Sequence, residues 1–231
     1  MSNQPDSKTI LGHQHIPYTI QSYEADEMIA RSQSYFNWLD DRRSVREFST
    51  KPVPMEVIDN IVKSASTAPS GAHKQPWTFC VVANPALKSK IREAAEAEEK
   101  ESYERRMSER WKEDLKPMGT NWSKPFLEEA PYLIIVCKRA YEIDDAGTKH
   151  NNYYVNESVG IACGMLISAI HNAGLVTLTH TPSPMNFLTK LLERPANERP
   201  FLLLPVGYPQ DNVYVPDIDR KGLDEMCVKY E

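Results

Sequence analysis

The sequence predicts a domain of the α/β or α+β class, with helices packed around a sheet. Three observations carry this. Apolar runs of strand length at residues 77–82 (WTFCVV), 132–137 (YLIIVC) and 201–206 (FLLLPV) are interleaved with segments of helical period. No internal repeat or low-complexity linker divides the 231 residues, so one domain with terminal arms is expected. Hydrophobic residues make up 41% and charged residues 26% of the chain, which excludes a disordered composition.

Taken in order, residues 1–21 are polar, lack an apolar signal-peptide core and read as an irregular N-terminal arm. Ile29, Phe36 and Leu39 suggest a first helix over residues 24–40. Val57, Ile58, Ile61, Val62 and Ala65 recur at helical spacing after Pro52 and Pro54, and Ala68-Pro69-Ser70-Gly71 ends that helix in a loop. Residues 77–82 read as a strand. Residues 86–115, rich in Ala, Glu, Lys and Arg, read as one or two solvent-facing helices. The apolar run at 132–137 reads as a central strand. Residues 153–172 form the strongest helix, with Val155, Val159, Ala162, Leu166 and Ala169 on one face and Gly174 as its C-cap. Residues 175–179 alternate as a strand does. In the 201–206 strand, Pro205 suggests an edge position or the strand's end. Residues 209–231 carry little helical period, and a tail that cannot bury itself is expected to lie against a partner subunit.

The totals narrow the function. A net charge of −5 and a pI near 5.7 disfavour nucleic-acid binding through a basic face. Cys80, Cys137, Cys163 and Cys227 are widely spaced, so a zinc or other metal site is not expected, and the first three, which lie in apolar runs, are expected to be buried free thiols. The longest apolar run, twelve residues at 159–170, is too short to span a bilayer. These readings predict a soluble, cytoplasmic protein with no membrane partner. Nine glycines against 17 prolines, with no G-x-G-x-x-G and no Walker A loop, mean that any nucleotide-like phosphate must be held by something other than glycine.

Arg42-Arg43-Ser44-Val45-Arg46 supplies the alternative. Its three arginines and a hydroxyl fall within five residues, and guanidinium forks suit phosphate oxygens. A solvated basic turn has the same composition. With Glu47-Phe48 the segment resembles the R-R-S-x-R-x-[FY] opening of the nitroreductase flavoprotein family. Ala68-Pro69-Ser70-Gly71-Ala72-His73-Lys74-Gln75-Pro76-Trp77 is similar to a segment of that family's iodotyrosine deiodinase branch. So are Thr120-Asn121-Trp122-Ser123-Lys124, Asn172-Ala173-Gly174-Leu175-Val176-Thr177 and Leu203-Leu204-Pro205-Val206-Gly207-Tyr208-Pro209. The resemblance covers roughly residues 35–228.

The resemblance implies an α+β, nitroreductase-like fold with a central, mainly antiparallel sheet flanked by helices. It also implies a domain-swapped homodimer with extended terminal arms. The domain runs over residues 22–208, includes a substrate lid at 86–125, and is followed by a dimer-embracing tail at 209–231. The implied cofactor is FMN. Arg42, Arg43, Ser44, Val45 and Arg46 would contact its phosphate and ribityl chain, with Arg220 reaching the phosphate from the tail. Pro69, Ser70 and Gly71 would run along the flavin edge. Thr179, His180 and Thr181 would lie beside the ring, with the Thr181 hydroxyl near flavin N5 as the catalytic group. His180 departs from the family's T-T-T pattern, so the role of its side chain stays open. Four arginines offer ample charge against a phosphate of about −2.

Glu99 and Tyr103 are four apart and share a helical face, but spacing alone does not separate Glu99 from its many charged neighbours. The resemblance selects Glu99, Tyr103 and Lys124 as the residues that bind a halotyrosine zwitterion. It selects the Ala72 amide for the phenolate oxygen. The implied activity is reduction of halotyrosine to tyrosine and halide by stepwise one-electron transfer, with a partner donor supplying electrons. A general nitroreductase or quinone reductase, or a binding protein without turnover, remains the alternative.

Overall fold

The computed structural model describes residues 7–230; residues 1–6 of the expected N-terminal arm lie outside the described residues. The chain divides into two units, residues 1–41 and 42–231. In the first, β1 (Lys8–Ile10) and β2 (His13–His15) form an antiparallel hairpin, followed by α1 (Ala25–Asp40). The arm expected to be irregular thus contains a hairpin, turned by Leu11 and Gly12, both at positive φ. In α1, no residue is buried, and Met28, Ile29, Tyr35 and Phe36 are exposed.

The second unit contains, in order, α2 (Met55–Ser66), β3 (Trp77–Val82), α3 (Pro85–Glu101), α4 (Glu109–Leu115), α5 (Phe126–Glu129) and β4 (Tyr132–Arg139). There follow β5 (Tyr141–Ile143), β6 (Lys149–Asn151), α6 (Val155–Asn172), β7 (Val176–Thr177), α7 (Asn186–Leu191), β8 (Glu198–Gly207) and α8 (Leu223–Met226). Strands β3-β4-β8-β7 pair in that order into an antiparallel sheet, as expected for the α+β class.

The two-residue period of β4 divides the core. Ile134 and Val136 face a cluster with Ile58, Ile61, Ala65, Val159, Ala162 and Leu166 of α2 and α6. Leu133, Ile135 and Cys137 face the other way, toward Ile91 and Ala95 of α3, Leu127 of α5 and Leu188 of α7. Each such large side chain contributes about 1.5–3 kcal/mol of burial free energy, so both layers clamp the sheet.

Two expectations need correction, and two short elements add to the expected ones. Pro205 does not mark an edge, because β8 is central, between β4 and β7. Residues 203, 205 and 207 direct their backbone groups toward the β7 side, and pairing there skips from Val206–Thr177 to the bridge Leu203–His180. The missing proline N–H therefore falls in a gap of the ladder. Helix α3 is not solvent-facing throughout, since Lys88, Ile91 and Ala95 are buried. The 209–231 tail is extended except for the short α8. The β5–β6 hairpin was not foreseen; Asp144 holds its turn, accepting from Thr148 N at 2.7 Å and Ala146 N at 3.0 Å. Gly174 follows α6 at φ +73°, consistent with its expected capping role. Cys137 and Cys163 are buried free thiols, whereas Cys80 is half-buried. No helix among the described residues is long and apolar enough to cross a membrane.

Candidate functional site

The basic segment is extended and pinned along the β7–β8 edge. Ser44 bridges Thr177, Val45 N donates to Thr177 O at 3.2 Å, and Ser49 N donates to Tyr208 O at 2.9 Å. Val45 and Phe48 are buried, which leaves Ser44 and Arg46 to line a cavity of about 180 Å³. Arg42, Arg43 and Arg220 complete its basic wall, with Pro216 and Asp219 from the tail beside them. The tail is tied to this wall: Arg43 Nη2 donates to Pro216 O, and Arg220 Nη2 donates to Arg42 O at 3.0 Å. Burial, then the like charges of Arg220 and Arg43, depress the Arg42 guanidinium from its usual range. Arginines held together against their mutual repulsion suit an anion of more than one charge. The donor set fits a phosphate group.

A second cluster stands on α3 and the loop before α5. Lys124 Nζ lies 3.6 Å from Glu99 Oε2, with side chains only 5% and 13% exposed. Nζ also donates to Thr120 Oγ1 at 3.0 Å and to Asn121 O, and lies 5.8 Å from the centre of the Tyr103 ring. The Tyr103 hydroxyl donates to Thr120 O at 3.3 Å. Helix α3 stops at Glu101 and continues as a wider π-helical turn over Ser102–Arg106, so Tyr103 sits on that turn and not on a regular helix.

Burial sets the electrostatics here. It raises the Glu99 carboxyl, an effect the Lys124 ammonium opposes. It lowers Lys124, opposed by Glu99 and reinforced by the like charge of Arg46. Burial and the Glu99 charge raise the Tyr103 phenol, and Arg46 pulls it down. Arg46 therefore lines the basic cavity and also acts on Tyr103 and Lys124 of the second cluster.

His180 separates from its two threonine neighbours. Thr179 and Thr181 are exposed and His180 is buried, as alternation along an extended segment requires. Its backbone exchanges hydrogen bonds with Leu203 at 2.8 and 3.0 Å, and its ring meets Phe126 edge-on at 5.6 Å. The Nε2 atom has no hydrogen-bond partner among the described residues. Burial and the Lys124 charge push its pKa down to about 3, so the imidazole is neutral.

The loop at 69–72 belongs to neither cluster by its described bonds. Gly71 N donates to Ser158 Oγ at 3.3 Å, and a Cβ on Gly71 would approach Tyr153 O and Tyr154 to 3.0 Å. Ala72, His73 and Gln75 all adopt positive φ, a conformation costing roughly 1–2 kcal/mol per non-glycine residue. His73 and Lys74 donate the bonds that close this turn, to Ser70 O and Gly71 O, so the Ala72 amide is outside both.

Sequence reasoning passed over three participants. Thr120 serves both Tyr103 and Lys124. Glu96 accepts from Lys124 N at 2.7 Å. Arg106 joins Glu98 to Ser183 O at 2.8 and 3.3 Å, linking the π-helical turn to the segment that follows Thr181. Only the position of Arg106 and Glu96 on a helical ladder hints at them, and many neighbours share it.

Comparison with known proteins extends this geometry. The model of the nitroreductase family matches residues 39–208. The chain is 62% identical over 215 residues to the iodotyrosine deiodinase of Haliscomenobacter hydrossis, covering 93% of this chain and 97% of that protein. It is 50% identical over 216 residues to human iodotyrosine deiodinase 1, covering 93% and 75%. The structure superposes on a crystal structure of oxidized iodotyrosine deiodinase bound to FMN and 3-iodo-L-tyrosine. That match has a TM-score of 0.74 and 35% identity, over 85% of this chain and 98% of the other.

Proposed function

The chain belongs to the nitroreductase family, and from that premise we propose that it is an FMN-dependent reductive dehalogenase of iodotyrosine and related halotyrosines. The observation that carries the reading is the buried Glu99–Lys124 pair with Tyr103 beside it, electrostatically joined through Arg46 to a phosphate-sized basic cavity. A general nitroreductase has no use for such a pair.

Arg42, Arg43, Ser44, Arg46 and Arg220 hold the phosphate of FMN, which supplies the reducing electrons when bound. The Glu99–Lys124 pair opens to admit the amino acid. Glu99 takes the ammonium, while Lys124 and the Tyr103 hydroxyl take the carboxylate, so a zwitterion leaves no buried charge unpaired. The Ala72 amide is assigned to the phenolate oxygen, and the Thr181 Oγ1 to the flavin edge. The segment over 86–125 closes over the substrate and excludes water. Bound FMN would supply two electrons in single steps which, with one proton, would replace the carbon–iodine bond by carbon–hydrogen and release iodide. An external reductant must restore the flavin.

We assign the complete site to a homodimer. The 69–72 loop packs closely on Tyr153 and Tyr154 and bonds Ser158, apart from both polar clusters, so a second copy is the natural source of the missing contacts. Helix α1 and the tail expose Ile29, Phe36, Tyr214, Val228 and Tyr230, apolar surface suited to such a partner.

Titrating the FMN-loaded protein with 3-iodo-L-tyrosine and with 2-iodophenol tests the reading. Iodotyrosine binds much more tightly, and Lys124→Ala removes the difference while FMN stays bound. Equal affinities in the parent protein contradict the zwitterion site.

A further inference from the structure

The geometry points to Glu96 as the residue that positions Lys124 for the substrate carboxylate, and so as a determinant of selectivity for zwitterions over plain halophenols. The inference rests on the halotyrosine reading above.

Glu96 lies three residues before Glu99 on α3, on a stripe that also carries Lys88 and Arg92. Every member of this stripe reaches residues 120–130. Lys88 Nζ donates to Glu128 O at 2.9 Å and to Ala130 O at 2.7 Å. Arg92 Nη1 meets Glu128 Oε2 at 3.4 Å. Glu96 Oε1 accepts from Lys124 N at 2.7 Å and from Ser123 Oγ at 3.4 Å. Lys124 is thus held twice from one helix, at its backbone by Glu96 and at its ammonium by Glu99.

The two holds differ in what substrate does to them. Glu99 must exchange the Lys124 ammonium for that of the amino acid. Glu96 makes no hydrogen bond to Nζ, acting on it only through its charge, and can keep the Lys124 backbone in place throughout the exchange. Its own geometry is secured by Arg92 Nε at 2.8 Å, which leaves Oε1 shared between a guanidinium, an amide and a hydroxyl. Burial works against the Glu96 charge, but the Lys124 amide, Arg92 and Ser123 outweigh it and keep the carboxyl below its usual range. Pro125 follows Lys124 and has no N–H, so the Lys124 amide is the backbone donor through which α3 grips this turn, beside the Ser123 hydroxyl. A small displacement of a positioned charge is enough to degrade recognition of a rigidly bound zwitterion.

The test compares Glu96→Ala, Glu96→Gln and Glu96→Asp in the FMN-loaded enzyme, with kcat/KM measured for 3-iodo-L-tyrosine and for 2-iodophenol. Glu96→Ala lowers the ratio of the two by about tenfold, through KM for iodotyrosine, as expected for a lost bond to a charged group. Glu96→Gln keeps an acceptor for the Lys124 amide and restores most of the ratio. Glu96→Asp retracts the acceptor and behaves like Glu96→Ala, so the proposal can still be decided if the alanine variant does not fold. A purely structural residue moves both substrates together; a fall in both rates with a constant ratio overturns the proposal. A parent enzyme that shows no preference for iodotyrosine instead overturns the underlying substrate reading.

Discussion

Lys124 and Glu99 face each other as an ion pair in a place where burial disfavours both charges. Breaking such a pair from one side strands a charge, whereas replacing both partners by hydrophobic residues of similar volume is often neutral or stabilising by about 1–4 kcal/mol. The double change Glu99→Leu with Lys124→Met is therefore expected to hold the thermal midpoint or raise it, by about 2–4 °C for each kcal/mol gained, while abolishing iodotyrosine binding. Calorimetry with and without the amino acid checks both halves. His180 makes a separate prediction. Its folded pKa of about 3 lies below the unfolded value of 6.5, so the unfolded chain binds the extra proton between these limits. Stability is then fully present above pH 6.5 and is lost as pH falls toward 3, by about 2 kcal/mol at about pH 5. Urea midpoints of the parent chain should fall over this range, and His180→Gln should flatten the slope. The exposed Thr181, on the opposite side of the segment, is expected to act on rate: Thr181→Ala slows halide release at saturating iodotyrosine and leaves iodotyrosine affinity nearly unchanged. An equal rate removes it from the reaction.

At the scale of elements, much of the architecture was legible. The apolar run at 132–137 is a strand because continuous burial on both faces needs uninterrupted apolar sequence, and β4 serves two core layers; the run at 77–82 is the half-buried edge strand β3. The helix over 153–172 followed from its spacing. Pro205 admitted an edge position or the strand's end; β8 is central and ends two residues on, at Gly207, and a gap in the β7 ladder accommodates the missing N–H. The candidate site divided in the same way. The arginine cluster is local in sequence and visible as such. Glu99, Tyr103 and Lys124 were selected by resemblance to a family, and spacing offered no means of separating Glu96 or Glu99 from Glu93, Glu98 and Glu101. What distinguishes them is which side of α3 meets residues 120–130, a property of packing. His180 shows the reverse case, where alternation through Thr179 and Thr181 settled its direction once the segment was known to be extended.

For the whole molecule, the scarcity of glycine loops acquires a definite counterpart in four arginines gathered from residues 42–46 and from the tail. The tail is therefore part of the proposed cofactor site, and removing residues 209–231 is expected to cost FMN retention, read from the flavin absorbance of the purified protein. Arg43→Ala should weaken retention in the same direction, since it loses both a phosphate fork and the bond to Pro216 O. Sedimentation of the FMN-loaded protein should give a dimer; a monomer with full activity would remove the second copy from the site. The central claim is reductive dehalogenation of a zwitterionic halotyrosine. Its most direct measurement is anaerobic turnover with dithionite, quantifying iodide and tyrosine from 3-iodo-L-tyrosine beside iodide from 2-iodophenol. Stoichiometric iodide and tyrosine are expected, with iodotyrosine consumed far faster than iodophenol. No iodide, or equal rates for the two substrates, would contradict it.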